Sequence, residues 1–337
     1  MTDFLPGKLN SDILEKLLKK YTLAGATDSR VVIGPKIGED AAVINFGEKY
    51  LVITTDPITF TSDEIGWYAV NVNANDIAVM GTKPKWFLAT ILLPEKCDEG
   101  LAENIFNQIS SACKQLNISL VGGHTEITYD LKRPVVVGTL VGEVSKDKLV
   151  TSSGAQEGDW LILSKGIVIE GTSIIARERE NELKRSGFDD AFIKRAKNFL
   201  HDPGISVVKE ALLANRFRVN SMHDPTEGGL ATGIYELVKA SNKGAIIYKE
   251  KIPVFPESEQ LCKKFNLDLM GTITSGSLLL TADPENAQKI LSLYKRGGIR
   301  AAKIGEIKEK EFGIKIKSGR TLSDLKIPQR DEITKLF

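Results

Sequence analysis

The sequence predicts an α+β protein of two domains, and three observations carry that expectation. At 337 residues the chain exceeds the usual reach of one hydrophobic core, so two domains of roughly 150 residues each are expected. Strand-like and helix-like segments alternate in both halves without the regular spacing of βαβ units. A fresh apolar strand, Asp159-Trp160-Leu161-Ile162-Leu163, follows the small polar stretch Ser152-Ser153-Gly154, which sets a boundary between domains 1–153 and 154–337.

In the first half, Ser11 to Lys20 has the spacing of a short amphipathic helix. Val31-Val32-Ile33 leads through a turn to the strand Ala41-Ala42-Val43-Ile44, and Tyr50 to Thr55 forms a second strand ending on Asp56. Thr61 to Pro84 is the stretch around which this half is organised. It reads as one helix, with Thr61 or Ser62 as cap, Asp63 and Glu64 on the first turn, Gly81 in the left-handed position and Pro84 as terminator. The helix is apolar nearly all round and is therefore buried. Yet Asp76 projects from it, flanked by Asn73 and Asn75, and a buried carboxylate must be hydrogen-bonded, ion-paired, protonated or bound to a cation. Trp86 to Leu93 is an apolar strand and Leu101 to Leu116 a helix. Ile118 to Val121 then runs into a glycine turn at Gly122-Gly123-His124-Thr125, and Pro134 to Val144 is a long β segment.

The second half continues through charged helices over 174–200, a loop at His201-Asp202-Pro203 and a helix near 205–214. His223-Asp224-Pro225-Thr226-Glu227-Gly228-Gly229 opens a helix to Val238; a strand at Ser277 to Thr281 and a helix over 284–296 follow.

Lys and Arg number 45 against 44 Asp and Glu, so no global field draws the chain to nucleic acid or an anionic membrane. Three scattered cysteines form no zinc framework and fit a reducing, cytoplasmic setting. No apolar run is long enough to span a bilayer and no signal-peptide pattern opens the chain.

Asp40, Asp56 and Asp76, with the glycine pair Gly122-Gly123, are the kind of hard-oxygen set and close-approach turn that magnesium–phosphate chemistry uses. Each also has a plain structural reading, as a turn aspartate, a tied core aspartate or an ordinary turn glycine. There is no Walker P-loop, no GxGxxG after a strand and no kinase signature.

Taken in order, Gly38-Glu39-Asp40-Ala41-Ala42-Val43, Thr55-Asp56, Asn75-Asp76-Ile77-Ala78-Val79-Met80-Gly81 with Pro84, Val121-Gly122-Gly123-His124-Thr125 and His223-Asp224-Pro225-Thr226-Glu227-Gly228-Gly229-Leu230 resemble the aminoimidazole ribonucleotide (AIR) synthase superfamily over nearly the whole chain. The last motif and Lys165-Gly166-Ile167 to Glu170-Gly171-Thr172 are most similar to the HypE-like hydrogenase-maturation proteins. The resemblance implies a homodimer whose N-terminal domains pair their sheets into a barrel, a C-terminal α/β domain, and ATP with Mg2+ as cofactors. It implies Asp40, Asp56 and Asp76 as metal ligands; Gly38, Asn75, Gly122, Gly123, Thr125, Gly228 and Gly229 around the nucleotide; and Asp76, His223 and Asp224 in catalysis. The role of His124 is left open, because relatives vary there.

The implied reaction phosphorylates an amide, carbamoyl or similar oxygen so that it can leave. The sequence departs from HypE-like chains in its last residues, which lack their terminal Pro-Arg-Ile-Cys, so the acceptor is expected to be a small molecule or a partner's thiol. A nucleotide-binding assembly or regulatory protein without turnover is the alternative; a purely structural dimer module would leave the carboxylates without a function.

Overall fold

A computed structural model describes residues 9, 11–21, 28–35, 39–59 and 61–337. Gly38 lies outside the described residues. Helix α1 (Ser11–Tyr21) falls where its amphipathic spacing predicts. The chain divides into two compact units, one centred on Asp40–Leu149 and the other on Val150–Phe337.

The first unit is a six-stranded sheet with two helices. Its strands are β1 (Val31–Ile33), β2 (Ala42–Phe46), β3 (Lys49–Ile58), β4 (Lys83–Pro94), β5 (Ser119–Thr128) and β6 (Val135–Ser145), in the order β1-β2-β3-β6-β4-β5. All neighbours are antiparallel except β4 and β5, which run parallel. Helix α2 (Ile65–Val79) lies against β3, β6 and β4, and α3 (Glu99–Leu116) lies beside it, against β4 and β5. Strand β6 alternates half-buried and buried positions up to its exposed last residue, as a strand with one face on a core should.

Three local expectations are corrected here. First, α2 starts at Ile65, not at Thr61. Glu64 caps it in a left-handed conformation (φ 58°), with no side-chain cap of its own. The free Gly66 amide is instead satisfied from α3, by Gln108 Oε1 at 2.9 Å. A Cβ on Gly66 would come within 2.6 Å of the Ile105 carbonyl, so glycine lets the two helices close on each other and the cap arrives from the neighbour. The other end is as expected, with Gly81 at φ 71°, but Pro84 already belongs to β4.

Second, β3 does not stop on Asp56 but carries it in its interior, opposite Gly138 of β6. Third, Gly122 and Gly123 are not a turn. They sit inside β5, where pairing with β4 holds the backbone extended across a register shift. Gly123 has φ 153°, and a Cβ there would fall 2.0 Å from the Ala89 carbonyl oxygen.

The second unit is built on a seven-stranded sheet. Its strands are β7 (Trp160–Ser164), β8 (Ser221–His223), β9 (Gly244–Tyr248), β10 (Leu279–Ala282), β11 (Ala301–Lys308), β12 (Ile314–Ser318) and β13 (Thr321–Asp324), in the order β13-β12-β9-β11-β7-β10-β8. The helices are α4 (Ile169–Glu178), α5 (Glu180–Arg185), α6 (Asp190–Asn198), α7 (Val208–Ala214), α8 (Gly229–Ala240), α9 (Pro256–Lys264) and α10 (Pro284–Arg296). Leu161 and Leu163 of β7 join a large apolar cluster with α4, α6, α8 and α9, and Ile162 between them is equally buried. A strand buried on both faces explains the unbroken apolar run in the sequence.

Segment 331–336 forms a 3-10 turn whose Ile333 and Leu336 enter the same cluster. The predicted α+β class is the observed one. No helix among the described residues is long and apolar enough to cross a membrane.

Candidate functional site

The candidate residues fall into two sets, one in each unit. In the first unit they gather along the seam between α2 and β3. Asp76 is 8% exposed, and its Oδ2 accepts from the Thr54 hydroxyl at 2.7 Å. The same hydroxyl lies 3.2 Å from the backbone carbonyl of Asp40, so one β3 side chain spans the two acidic positions. With a single proton to give, Thr54 favours the carboxyl acceptor at the shorter distance.

Asn73, one helical turn before Asp76, grips Asp56. Its Oδ1 accepts the Asp56 amide at 3.0 Å, and its Nδ2 reaches the Asp56 carbonyl at 3.4 Å while donating to Ala69 at 2.8 Å. A side-chain amide thus meets a strand residue much as a neighbouring strand would. Room for it comes from Gly138, since a Cβ there would sit 2.3 Å from Asn73 Nδ2.

Asp40 and Asp56 are half-buried and Asn75 is fully buried. Among the described residues, the carboxylates of Asp40, Asp56 and Asp76 do not close on one another as a ready three-ligand cage. Thr125 and His124 lie exposed on β5, with His124 Nε2 at 3.2 Å from Glu126 Oε2.

In the second unit His223 closes β8, a three-residue strand paired with β10, and Asp224 follows it. Both are buried, at 5% and 3% exposure. His223 Nε2 stands 3.1 Å from Glu236 Oε2 of α8. At that distance the Glu236 carboxyl and the ring share a hydrogen bond, which fixes the orientation of the imidazole.

The chain then turns through two left-handed glycines, Gly228 (φ 78°) and Gly229 (φ 64°), into α8. A Cβ on Gly229 would meet the Met270 and Thr272 carbonyls at 2.6 Å each. The Gly228 amide is not directed to open space. It donates to Asp331 Oδ2 at 2.6 Å, while Asp331 Oδ1 accepts from Ile273 (3.1 Å) and Ile333 (2.8 Å). Burial pushes the Asp331 carboxyl up to about 6, against the pull of those three amides.

Close to it, electrostatically, lies Glu170 of α4. Burial, opposed by a hydrogen bond from Ser275, pushes the Glu170 carboxyl to about 7, with Asp331 and Glu227 adding to the rise. Its Oε2 is buried without a hydrogen-bond partner. The segment leading to Glu170 is itself unusual. Lys165 (φ 54°) and Val168 (φ 64°) are both left-handed, a costly conformation for a β-branched residue. Lys165 Nζ is buried on the Gly204 (2.9 Å) and Ser206 (2.6 Å) carbonyls and stands 3.4 Å from Glu210 Oε1.

Sequence reasoning missed Thr54, Glu236, Glu170 and Asp331 as site neighbours. Thr54 reads in the sequence as one more β-branched residue of its strand and gave no sign of its partner. Asp331, 103 residues from Gly228, offered none.

Comparison with known proteins adds the family. The N-terminal domain of AIR synthase related proteins matches residues 38–144, and the C-terminal domain of the same family matches residues 156–317. A protein of Methanocaldococcus jannaschii named for hydrogenase expression/formation is 29% identical over 326 residues, covering 94% of each chain. The carbamoyl dehydratase HypE of Cupriavidus necator is 27% identical over 268 residues, 77% of this chain and 73% of that protein. Among solved structures, a HypE–HypF complex superposes with a TM-score of 0.75 at 23% identity, covering 92% of this chain and 99% of that one. HypE in complex with ATP superposes at 0.68 and 20% identity, covering 94% and 95%. With both of its domains matched in order, the chain belongs to the AIR synthase related family.

Proposed function

We propose that this protein is an ATP- and magnesium-dependent enzyme that phosphorylates an amide, carbamoyl or similar oxygen, acting as HypE-like relatives do in hydrogenase maturation. The observation that carries the reading is the α2–β3 seam, where Thr54 and Asn73 hold two acidic positions in fixed relation. Burying the Asp76 carboxyl on α2 costs stability even with the Thr54 hydrogen bond, a cost that a working site accounts for. Hard carboxylate oxygens are the donors magnesium prefers, so Asp40, Asp56 and Asp76 fit it. Magnesium, when bound, offsets charge on the triphosphate.

The chain's own groups do the remaining work. Thr54 aims the Asp76 carboxyl, and Asn73 fixes the backbone that carries Asp56. His223, oriented by Glu236 through Nε2, is the side chain of this segment suited to exchange a proton with the acceptor. Small-molecule and protein acceptors are both compatible with this arrangement.

The working form is a homodimer. Edge strand β5 is exposed along nearly its whole length and carries Leu120, Val121 and Ile127 at 42%, 54% and 56% exposure. An exposed edge strand of this kind is a template for another strand, and a second copy supplies one. A sedimentation result of monomer at micromolar concentration overturns this part.

The test of the enzymatic reading is nucleotide binding by calorimetry and phosphate release from ATP, with and without carbamoyl or amide acceptors. Asp40→Asn, Asp56→Asn and Asp76→Asn should each weaken magnesium-ATP binding or turnover about tenfold or more while the protein stays folded. Unchanged magnesium dependence in all three removes the metal site. Binding without phosphate release, whatever the acceptor, favours a nucleotide-responsive assembly factor instead.

A further inference from the structure

We propose that Asp331 is a positioning residue, the pin of a clasp through which the 3-10 turn at 331–336 holds the His223–Gly229 segment in its working shape. The proposal rests on the reading above in one respect only, that His223 and Asp224 act in the reaction.

The geometry is that of a three-way joint. One buried carboxylate, 7% exposed, takes the Gly228 amide on one oxygen and the Ile273 and Ile333 amides on the other. Those three amides belong to three separate stretches: the glycine turn that starts α8, the 271–276 loop and the turn at 331–336 itself. The joint is reinforced at each side. Thr274 donates its amide to the Thr226 carbonyl at 3.3 Å, tying the loop to the turn directly. Glu332 Oε2 accepts the Asp268 amide at 3.0 Å. Ile333 and Leu336 anchor the 3-10 turn in the core.

Gly228 and Gly229 are both left-handed, and glycine reaches such conformations without holding them. Within the turn the Gly229 amide reaches the Thr226 carbonyl at 3.1 Å, and the short bond from the Gly228 amide to a carboxylate adds the hold from outside. The turn in question is the hinge between His223-Asp224 and α8, and α8 supplies Glu236, the partner of His223. Loss of the pin therefore changes the aim of His223 and Asp224 without touching either of them. Residue geometry of this kind enters the rate more than the binding of nucleotide.

The experiment compares Asp331→Asn, Asp331→Glu and Ile333→Ala in the full-length protein by peptide-level hydrogen exchange and by steady-state ATP turnover. A core variant of the same unit, Ile307→Val, serves as the control for plain destabilisation. In Asp331→Asn, exchange over residues 225–232 should rise about tenfold or more, with kcat falling by about the same factor. The affinity for magnesium-ATP should stay within about twofold. Asp331→Glu should recover part of both losses. Ile333→Ala keeps the carboxylate but loosens its seat, and should raise exchange in the same peptide even if Asp331→Asn does not fold.

Unchanged exchange over 225–232 in these variants overturns the proposal. So does a fall in kcat no larger than that of Ile307→Val at matched melting temperature. If the unaltered protein neither binds nor hydrolyses ATP, the enzymatic reading fails, and hydrogen exchange alone then decides whether the clasp exists.

Discussion

Replacing Glu170 by glutamine should make the protein more stable at alkaline pH and leave it unchanged in acid. Burial is the first cause that raises this carboxyl, to about 7 from the ordinary 4.5, with the Asp331 and Glu227 charges adding to it. At about 1.4 kcal/mol per pH unit, that difference corresponds to roughly 3 kcal/mol against the ionised form in the folded protein. The direction follows from proton linkage. The folded state holds this proton more tightly than the unfolded chain does, so the group's contribution is fully favourable below about pH 4.5 and is lost as pH rises through 7. Glutamine keeps the size and can still meet the Ser275 hydroxyl, but it carries no charge. Its amide replaces a buried Oε2 that already lacks a hydrogen-bond partner, and an unmet amide takes back part of the gain. The net expectation is stabilisation of about 1–3 kcal/mol at pH 8, shrinking toward zero near pH 4.5. Urea denaturation midpoints of both proteins at pH 8, 6 and 4.5 measure it. A stability difference that does not change with pH, or a glutamine variant weaker at pH 8, refutes the reasoning.

Gly123→Ala should cost more than the roughly 1–3 kcal/mol of ordinary overpacking, because its Cβ would meet the Ala89 carbonyl oxygen at 2.0 Å and the backbone cannot yield without breaking the β4–β5 pairing; a melting temperature within a few degrees of the parent contradicts this. Lys165→Met should destabilise by about 3–5 kcal/mol by leaving Glu210 buried without its cation, and adding Glu210→Gln should restore part of the loss in the same denaturation assay. Cys97, half-buried, should react with a maleimide in the native protein while Cys113 and Cys262 stay protected, since burial raises their thiols to about 11 and about 12.

What the sequence made legible was whatever local pattern decides. The apolar girth of α2 and the proline-started α10 were readable because helix period and end signals act over a few residues. The need for a partner at Asp76 was readable too, from one carboxylate on an apolar helix, though its identity as Thr54 was not. The misreadings share a cause, which is that tertiary partners overrode local signals. Asp56 looked like a strand end because an acid usually marks one, but Asn73 supplies the missing pairing and β3 runs on to Ile58. Gly122-Gly123 looked like a turn because nothing nearby in sequence announced that β4 would hold it straight. The α2 cap was sought in Thr61 and Ser62 and came from Gln108. The resemblance implies Gly228 beside the nucleotide, and no local pattern foretold that its amide would meet Asp331.

The grip of Asn73 on Asp56 also has a bearing on how this segment can vary over evolutionary time. The side chain enters through the gap left by Gly138 and meets one particular strand residue, so α2 and β3 are meshed like a key and its lock at a single tooth. Substitutions that respect volume can accumulate around that tooth. A one-residue insertion or deletion between Ile65 and Asn73 cannot, because it would turn everything after it by about 100° and carry Asp76 away from Thr54. Differences in length among descendants of this gene should therefore collect outside that meshed stretch, in connections such as the one between β5 and β6, where Tyr129, Asp130 and Lys132 lie exposed.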